Sequence, residues 1–365
     1  MGLSKKIVVS VSNDLVTDQR VERICESLSN LEYEVVLVGR ELSKSKKIER
    51  SYKTKRLKLI FNNGPLFYLM LNIGIFRILI KEKPDVILSN DLDTLLAGHL
   101  YHIFNRSTTK LVYDSHEYFT EVPELVGRSA RKVWLYLERR ILPKVKHSYT
   151  VCDSIAGIYK KEYNIEMGVI RNLPKLAANK VKITKDLIGK KKLIYQGAIN
   201  VHRGIELMVE MMQFLPDCHL YLFGDGDIKV RIDKIIVDLS LQENVTCMGK
   251  CPPDELRSYT EQCDLGFSLE EDIGLNYRYA LPNKIFDYIH AGIPMLVSNL
   301  PEMSAVVNDY VVGEVIKSRM ASEAANQVMS ILSNEELYKK YSNNALKAKD
   351  QLNWEKEEEK LKKYF

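Results

Sequence analysis

Short runs of apolar, often β-branched residues alternate along the chain with longer amphipathic stretches. In the first half KIVVSV (6–11), YEVVLVG (33–39), RLKLIF (56–61), DVILSN (85–90), KLVYD (110–114) and SYTVC (148–152) read as strands. KLIYQG (192–197), HLYLFG (219–224), NVTCMG (244–249), DLGFSL (264–269) and PMLVS (294–298) continue the series in the second half. Each run is followed by helix-like sequence. Strands that are almost continuously apolar and joined through helices predict parallel sheets covered on both faces, one sheet in each half.

The alternation lapses between 172 and 192, where Pro174 and seven Lys stand among few large apolar residues. The expected organisation is therefore a domain over 1–171, a linker over 172–191 and a second domain over 192–352. The fold class is α/β, two Rossmann-like doubly wound domains whose sheets present their carboxyl ends to a central cleft. The tail NWEKEEEKLKKYF (353–365) predicts an amphipathic helix. Its Trp354, Leu361, Tyr364 and Phe365 are suited to packing back on the first domain, with its charge run solvated.

Composition narrows the class. The 365 residues suffice for two domains, and 45% hydrophobic with 28% charged residues excludes disordered, collagen-like and coiled-coil chains. The six Cys form no CxxC pair and read as reduced core residues. The amino-terminal apolar run is too short for a signal peptide, and the longest apolar stretch, 66–80, is interrupted by Asn72, Gly74 and Arg77. A cytoplasmic protein, soluble or peripheral at the inner face of a membrane, is expected. Net charge is +5, but residues 1–170 hold 27 Lys and Arg against 20 Asp and Glu, leaving 26 against 28 in the rest. The excess is concentrated in 44–58 and 131–147, which suit anionic lipid head groups or a lipid-diphosphate acceptor; neither carries a nucleic-acid reader motif, so no nucleic acid is expected as partner.

Candidate chemistry lies mainly in the second half. In 195–212 a strand, a glycine turn and a helix start bring Gly197, Arg203 and Gly204 together, a setting suited to phosphate oxygens. Taken alone, the segment reads equally as an ordinary strand-to-helix turn with a surface arginine. In 268–302 an acidic group (Glu270, Glu271, Asp272) and Gly274 precede Pro282, a helix-start signal, and then Asn283, Lys284 and Asp287. Expelling a nucleoside diphosphate calls for cations or N–H dipoles on the phosphates and carboxylates on ribose or sugar hydroxyls. Lys284 and the helix start offer the first, Asp287 and Glu271 the second.

With these segments the chain resembles the retaining glycosyltransferases of family 4, of GT-B architecture and bacterial surface-polysaccharide type. The resemblance runs through Gly197 to Arg203, the FGDG loop with Gly224 and Gly226, VTCMG followed by PPDEL, the acidic-to-AGIP block, SNDLDTLLAG (89–98) and YDSHEYFTEVPEL (113–125). It implies transfer of a sugar from a UDP- or GDP-sugar to a glycan or lipid-linked hydroxyl with retention. No cofactor is expected. The family often carries a cation on each side of the glycine turn; here Arg203 fills the second place, Ala198 stands in the first, and Lys284 is a substitute. The family's two spaced glutamates correspond to Glu271 and Asp287, with Glu270 the alternative for the first. His116 is implied to face the transferred sugar, with Glu117 and Glu121 suited to orienting the acceptor hydroxyl. Asp91 and Asp93 form a DxD but read as helix caps rather than metal ligands. The same architecture serves sugar-nucleotide epimerases, and the missing cation would also suit a catalytically silent nucleotide-sugar-binding partner subunit.

Overall fold

Every strand pair among the described residues is parallel, and the strands fall into two sheets. The structure, a computed structural model, describes residues 4–16, 18–43, 45–106, 108–123, 125–176 and 186–365. Residues 177–185 of the expected linker and Lys44 of the basic segment lie outside these. The chain divides into two compact units, Met1–Asn172 with Glu357–Phe365, and Leu173–Lys356.

Unit 1 holds β1 (Lys6–Asp14), β2 (Glu34–Glu41), β3 (Lys53–Lys58), β4 (Val86–Asn90), β5 (Lys110–Ser115), β6 (His147–Thr150) and β7 (Gly168–Val169). They are joined with α1 (Gln19–Asn30), α2 (Gly64–Glu82), α3 (Leu92–Phe104), α4 (Ser129–Ile141) and α5 (Asp153–Tyr163). The sheet order is β3-β2-β1-β4-β5-β6-β7, so the direction of winding reverses between β1 and β4. Three expectations change here. The connection from β2 to β3 contains no helix among its described residues. The third strand begins at Lys53 and stops at Lys58, short of Phe61. The stretch 66–80 lies in one uninterrupted helix of 19 residues, α2, apolar and long enough to cross a membrane by length and composition. Asn72 does not break it because its side chain is consumed by α3, donating to the Asp93 carbonyl (2.7 Å) and accepting from the Ala97 N–H (3.0 Å).

Unit 2 holds β8 (Lys191–Gln196), β9 (Cys218–Phe223), β10 (Val245–Gly249), β11 (Leu265–Ser268), β12 (Met295–Val297) and β13 (Gly313–Val315). Its helices are α6 (Ile205–Met211), α7 (Lys229–Asp238), α8 (Pro253–Thr260), α9 (Leu275–Arg278), α10 (Asn283–Ala291), α11 (Pro301–Tyr310), α12 (Ala321–Ser333), α13 (Glu335–Lys349) and α14 (Trp354–Leu361), the last running on into unit 1. The order is β10-β9-β8-β11-β12-β13, with the reversal between β8 and β11. Leu193, Tyr195, Leu220 and Leu222 enter one apolar cluster while Ile194, Tyr221 and Phe223 enter another, which is how a doubly wound sheet buries both faces.

At the carboxyl terminus Trp354 and Leu361 are buried. The tail's charges are not all solvated: Glu357 is buried and accepts from the Arg171 N–H (2.9 Å) and Lys360 Nζ (2.7 Å). Of the six cysteines, all free, Cys247 and Cys251 are only half-buried.

Candidate active site

In an open parallel sheet, ligands gather at the carboxyl ends of the strands where the winding reverses. In unit 2 that place is the end of β8 and β11, where Gly197 and Glu270 follow their strands. Gly224, after β9 with φ +141°, lies so close to this turn that a Cβ there would run into the Gly197 carbonyl oxygen. Gly204, at φ +72°, similarly lets the turn close against the Leu269 backbone. Gly226 packs on Ile199 and Asn200 of the same turn. The glycines thus fold two loops onto one another, and Arg203 is set at the end of the first.

Three charges meet there. Glu270 is 1% exposed and takes Lys284 Nζ at 2.5 Å on Oε1 and Ser268 Oγ at 2.8 Å on Oε2. Arg203 Nη1 stands 3.6 Å from the same Oε1. Burial works against both ions, but for Glu270 the cations prevail and hold its carboxyl below the ordinary range. Burial, with Arg203 adding to it, pulls Lys284 below the ordinary lysine range despite Glu270. Lys284 also lies 4.7 Å from the Tyr195 ring centroid, and a Cβ at Gly197 would sit 3.4 Å from its Cε. A lysine from α10 therefore stands beside the turn at Gly197, next to Ala198. Arg203 is stacked 5.2 Å from the Tyr277 ring centroid, and its buried Nε has no hydrogen-bond partner.

The remaining candidates spread outward. Glu271 is half-exposed and pairs with His202 Nδ1 at 2.7 Å, with Arg319 Nη2 at 3.8 Å. Asp287, one turn along α10 from Lys284, accepts from Gln196 Nε2 (2.6 Å), whose Oε1 accepts from Thr260 (2.8 Å). Asn283 is exposed at the start of α10, and Gly274 is exposed ahead of α9 with open space around it. The helix start after Gly204 contributes less than expected, since α6 is only seven residues long. The sequence reading missed His202, Arg319, Ser298 and Tyr277. Ser298 Oγ donates to the Glu270 carbonyl (2.5 Å), and Arg319 donates to the Leu269 carbonyl (3.1 Å). Arg319 follows β13, a strand too short to stand out, and Tyr277 sits on α9, the stretch that lengthens the acidic spacing.

Unit 1 has its own charged group at the ends of β4 and β5. His116 Nε2 is 3.1 Å from both Asn90 Oδ1 and Asp114 Oδ2, and Nδ1 is 3.4 Å from Asp91 Oδ2. The fully buried Asp114 is held by Arg20 through Nε (3.1 Å) and Nη2 (2.8 Å). Burial lowers the affinity of His116 for its proton, but the Asp91 and Asp114 carboxylates outweigh this and push its pKa up to about 9. Burial raises Asp91 to about 7 and Asp93 to about 6. Asp91 occupies the cap position of α3 yet makes no capping bond; its carboxylate accepts the His116 N–H (2.8 Å) instead. Glu117 is half-buried, with its carbonyl accepting from Ser115 Oγ (2.9 Å), while the Glu121 carboxylate is ion-paired with Arg131.

Comparison with known proteins gives this arrangement its context. The Glycosyltransferase Family 4 model matches residues 18–174, and the model described as Glycosyl transferases group 1 matches 179–348. The two together account for nearly the whole chain, which belongs to the family 4 type of glycosyltransferases and has their two-domain GT-B fold. No curated protein matches by sequence. Among solved structures, a sucrose-phosphate synthase from Thermosynechococcus elongatus is 16% identical over 99% of this chain and 98% of its own, with a TM-score of 0.79. HepE of Anabaena, solved with UDP-glucose, is 13% identical over 98% of each chain (TM-score 0.76). WaaG, a glycosyltransferase involved in lipopolysaccharide biosynthesis, is 13% identical over 97% of this chain and 98% of its own (TM-score 0.75).

Proposed function

We propose that this glycosyltransferase moves a sugar from a UDP- or GDP-sugar to a hydroxyl of a glycan or lipid-linked acceptor with retention of anomeric configuration. The work belongs to assembly of a cell-surface polysaccharide or glycolipid at the cytoplasmic face of the membrane. The observation that carries the donor assignment is the convergence of Arg203 and Lys284 on buried Glu270 at the reversal of the second sheet, with Arg203 Nε still unpartnered.

Buried Glu270 pre-orients two cations, the buried Lys284 and the partly exposed Arg203, where attraction for phosphate is less screened than in bulk water. As the bond to the anomeric carbon breaks, negative charge grows on the diphosphate, and Arg203 and Lys284 stabilise it more than they stabilise the intact donor. Glu271 and Asp287 accept from donor hydroxyls. His116, in unit 1, faces the transferred sugar, and Glu117 orients the acceptor. Glu121, engaged by Arg131, has a supporting place. The acceptor hydroxyl attacks on the face from which the diphosphate departs and gives its proton to the departing phosphate oxygen, without a covalent intermediate on the protein.

Arg203→Ala should lower turnover by about 10² to 10³, as loss of one transition-state charge donor does elsewhere. Its side chain is 31% exposed, so the fold should persist. Near wild-type turnover would remove Arg203 from the donor site. The anomeric signal of the first product, read by NMR, tests retention separately, and an inverted product would contradict that part of the reading.

A further inference from the structure

Behind the segment that carries His116 and Glu117 lies a carboxyl group that no cation neutralises. Glu138, on α4, is fully buried, and among the described residues its partners are two hydroxyls of α5. Tyr159 donates to its Oε1 (3.2 Å) and Tyr163 to its Oε2 (2.6 Å). A carboxylate kept out of water without a counter-ion is costly, and hydroxyl donors offset only part of that cost. Burial accordingly raises the pKa of Glu138 to about 7, against the opposing pull of Tyr163 and Tyr159. The other titratable groups that face it are Glu162 of α5, Tyr113 of β5 and Tyr118 of the loop after β5.

Tyr159 also reaches that loop. Its hydroxyl lies 3.4 Å from Oγ of Ser115, the last residue of β5, and both side chains are buried. Ser115 Oγ in turn donates to the Glu117 carbonyl (2.9 Å), while the Ser115 carbonyl is fixed by Thr150 Oγ1 (2.9 Å). A continuous line of hydroxyls therefore joins the buried carboxyl to the main chain at Glu117. Tyr163, the closer partner of Glu138, stands outside this line, since its hydroxyl bonds Glu138 alone.

A hydroxyl has one proton, so the direction in which one member donates sets what the next can do. With Glu138 ionised, Tyr159 gives its proton to the carboxylate, and Ser115 Oγ divides its own between the Glu117 carbonyl and the Tyr159 oxygen. With Glu138 protonated, the carboxyl donates to the Tyr159 oxygen, Tyr159 to Ser115 Oγ, and Ser115 to the Glu117 carbonyl undivided, each bond polarising the next. We propose that Glu138 is a positioning residue for the segment facing sugar and acceptor, setting through Tyr159 and Ser115 how firmly the main chain at Glu117 is held. Its part in transfer rests on the acceptor reading given above; the coupling itself does not, and is measured without substrate.

The test is an NMR titration of the full chain across neutral pH, following the carbonyl carbon of Glu117. Asp91, raised by burial into the same range and accepting the His116 N–H, contributes a step of its own, so the readout is the difference between wild type and variants. Wild type should show a step with a midpoint at about 7 that Glu138→Gln lacks. Tyr159→Phe, which leaves Glu138 in place, should lack it too. Tyr163→Phe, which loses the shorter bond to the carboxylate, should keep the step and move it to higher pH. These two variants each lose one hydroxyl and no ring, so their comparison decides the matter even where Glu138→Gln does not fold. Identical titration curves for wild type and Glu138→Gln, or a step that survives in Tyr159→Phe as it does in Tyr163→Phe, would overturn the proposal. Failure of the wild type to bind UDP or GDP would instead count against the donor site and leave this coupling standing.

Discussion

His116 illustrates how a single residue acquires its properties from groups distant in sequence. Arg20 on α1 fixes Asp114, and Asp114 with Asp91 holds the imidazole. Its proton is retained well above the ordinary histidine range, at about 9. Its folded pKa is raised, so the stability it contributes is complete below the unfolded value of about 6.5 and is lost as pH rises through about 9. An NMR titration of the native protein should therefore find His116 as imidazolium at neutral pH, with Arg20→Gln raising the midpoint further, because the guanidinium's positive charge opposes protonation of the imidazole. A midpoint near 6.5 in the wild type would contradict the geometry. Residues of this kind divide by legibility. Arg203 and Lys284 could be read in the sequence because a glycine turn and a proline-marked helix start are local signals. Arg20, His202 and Arg319 could not, because their partners are set by strand order and loop packing rather than by spacing.

At the scale of elements, the strands were legible wherever both faces are buried, as in β9, whose six residues CHLYLF are all buried. The two-residue β7 and three-residue β13 were not, since segments so short at a sheet edge carry no periodicity. The acidic spacing was misleading for a physical reason: α9 is inserted between Glu271 and Asp287, and its Tyr277 supports Arg203. The loops make a sharp prediction. Gly224→Ala places a methyl against the Gly197 carbonyl at a backbone angle that disfavours it and should cost more than about 1 kcal/mol in denaturant unfolding, with weakened nucleotide binding. Gly274→Ala meets open space at an extended backbone and should be close to neutral. Equal effects of the two would mean that the FGDG loop does not close on the β8 turn as described.

Across the whole molecule, the modest net charge of +5 conceals a basic first half, where the excess is concentrated in 44–58 and 131–147. The second half is slightly acidic, so its affinity for a diphosphate has to come from a few placed groups rather than from its general field. Its two best-placed cations share one buried carboxylate. That is the central claim, and calorimetric titration of UDP and GDP into the wild-type chain and into Arg203→Ala tests it most directly. At least one nucleotide should bind the wild type, and its affinity should fall by about tenfold or more in the variant, the scale of one lost charge-assisted contact. Equal affinities, or binding of neither nucleotide to the wild type, would contradict the account.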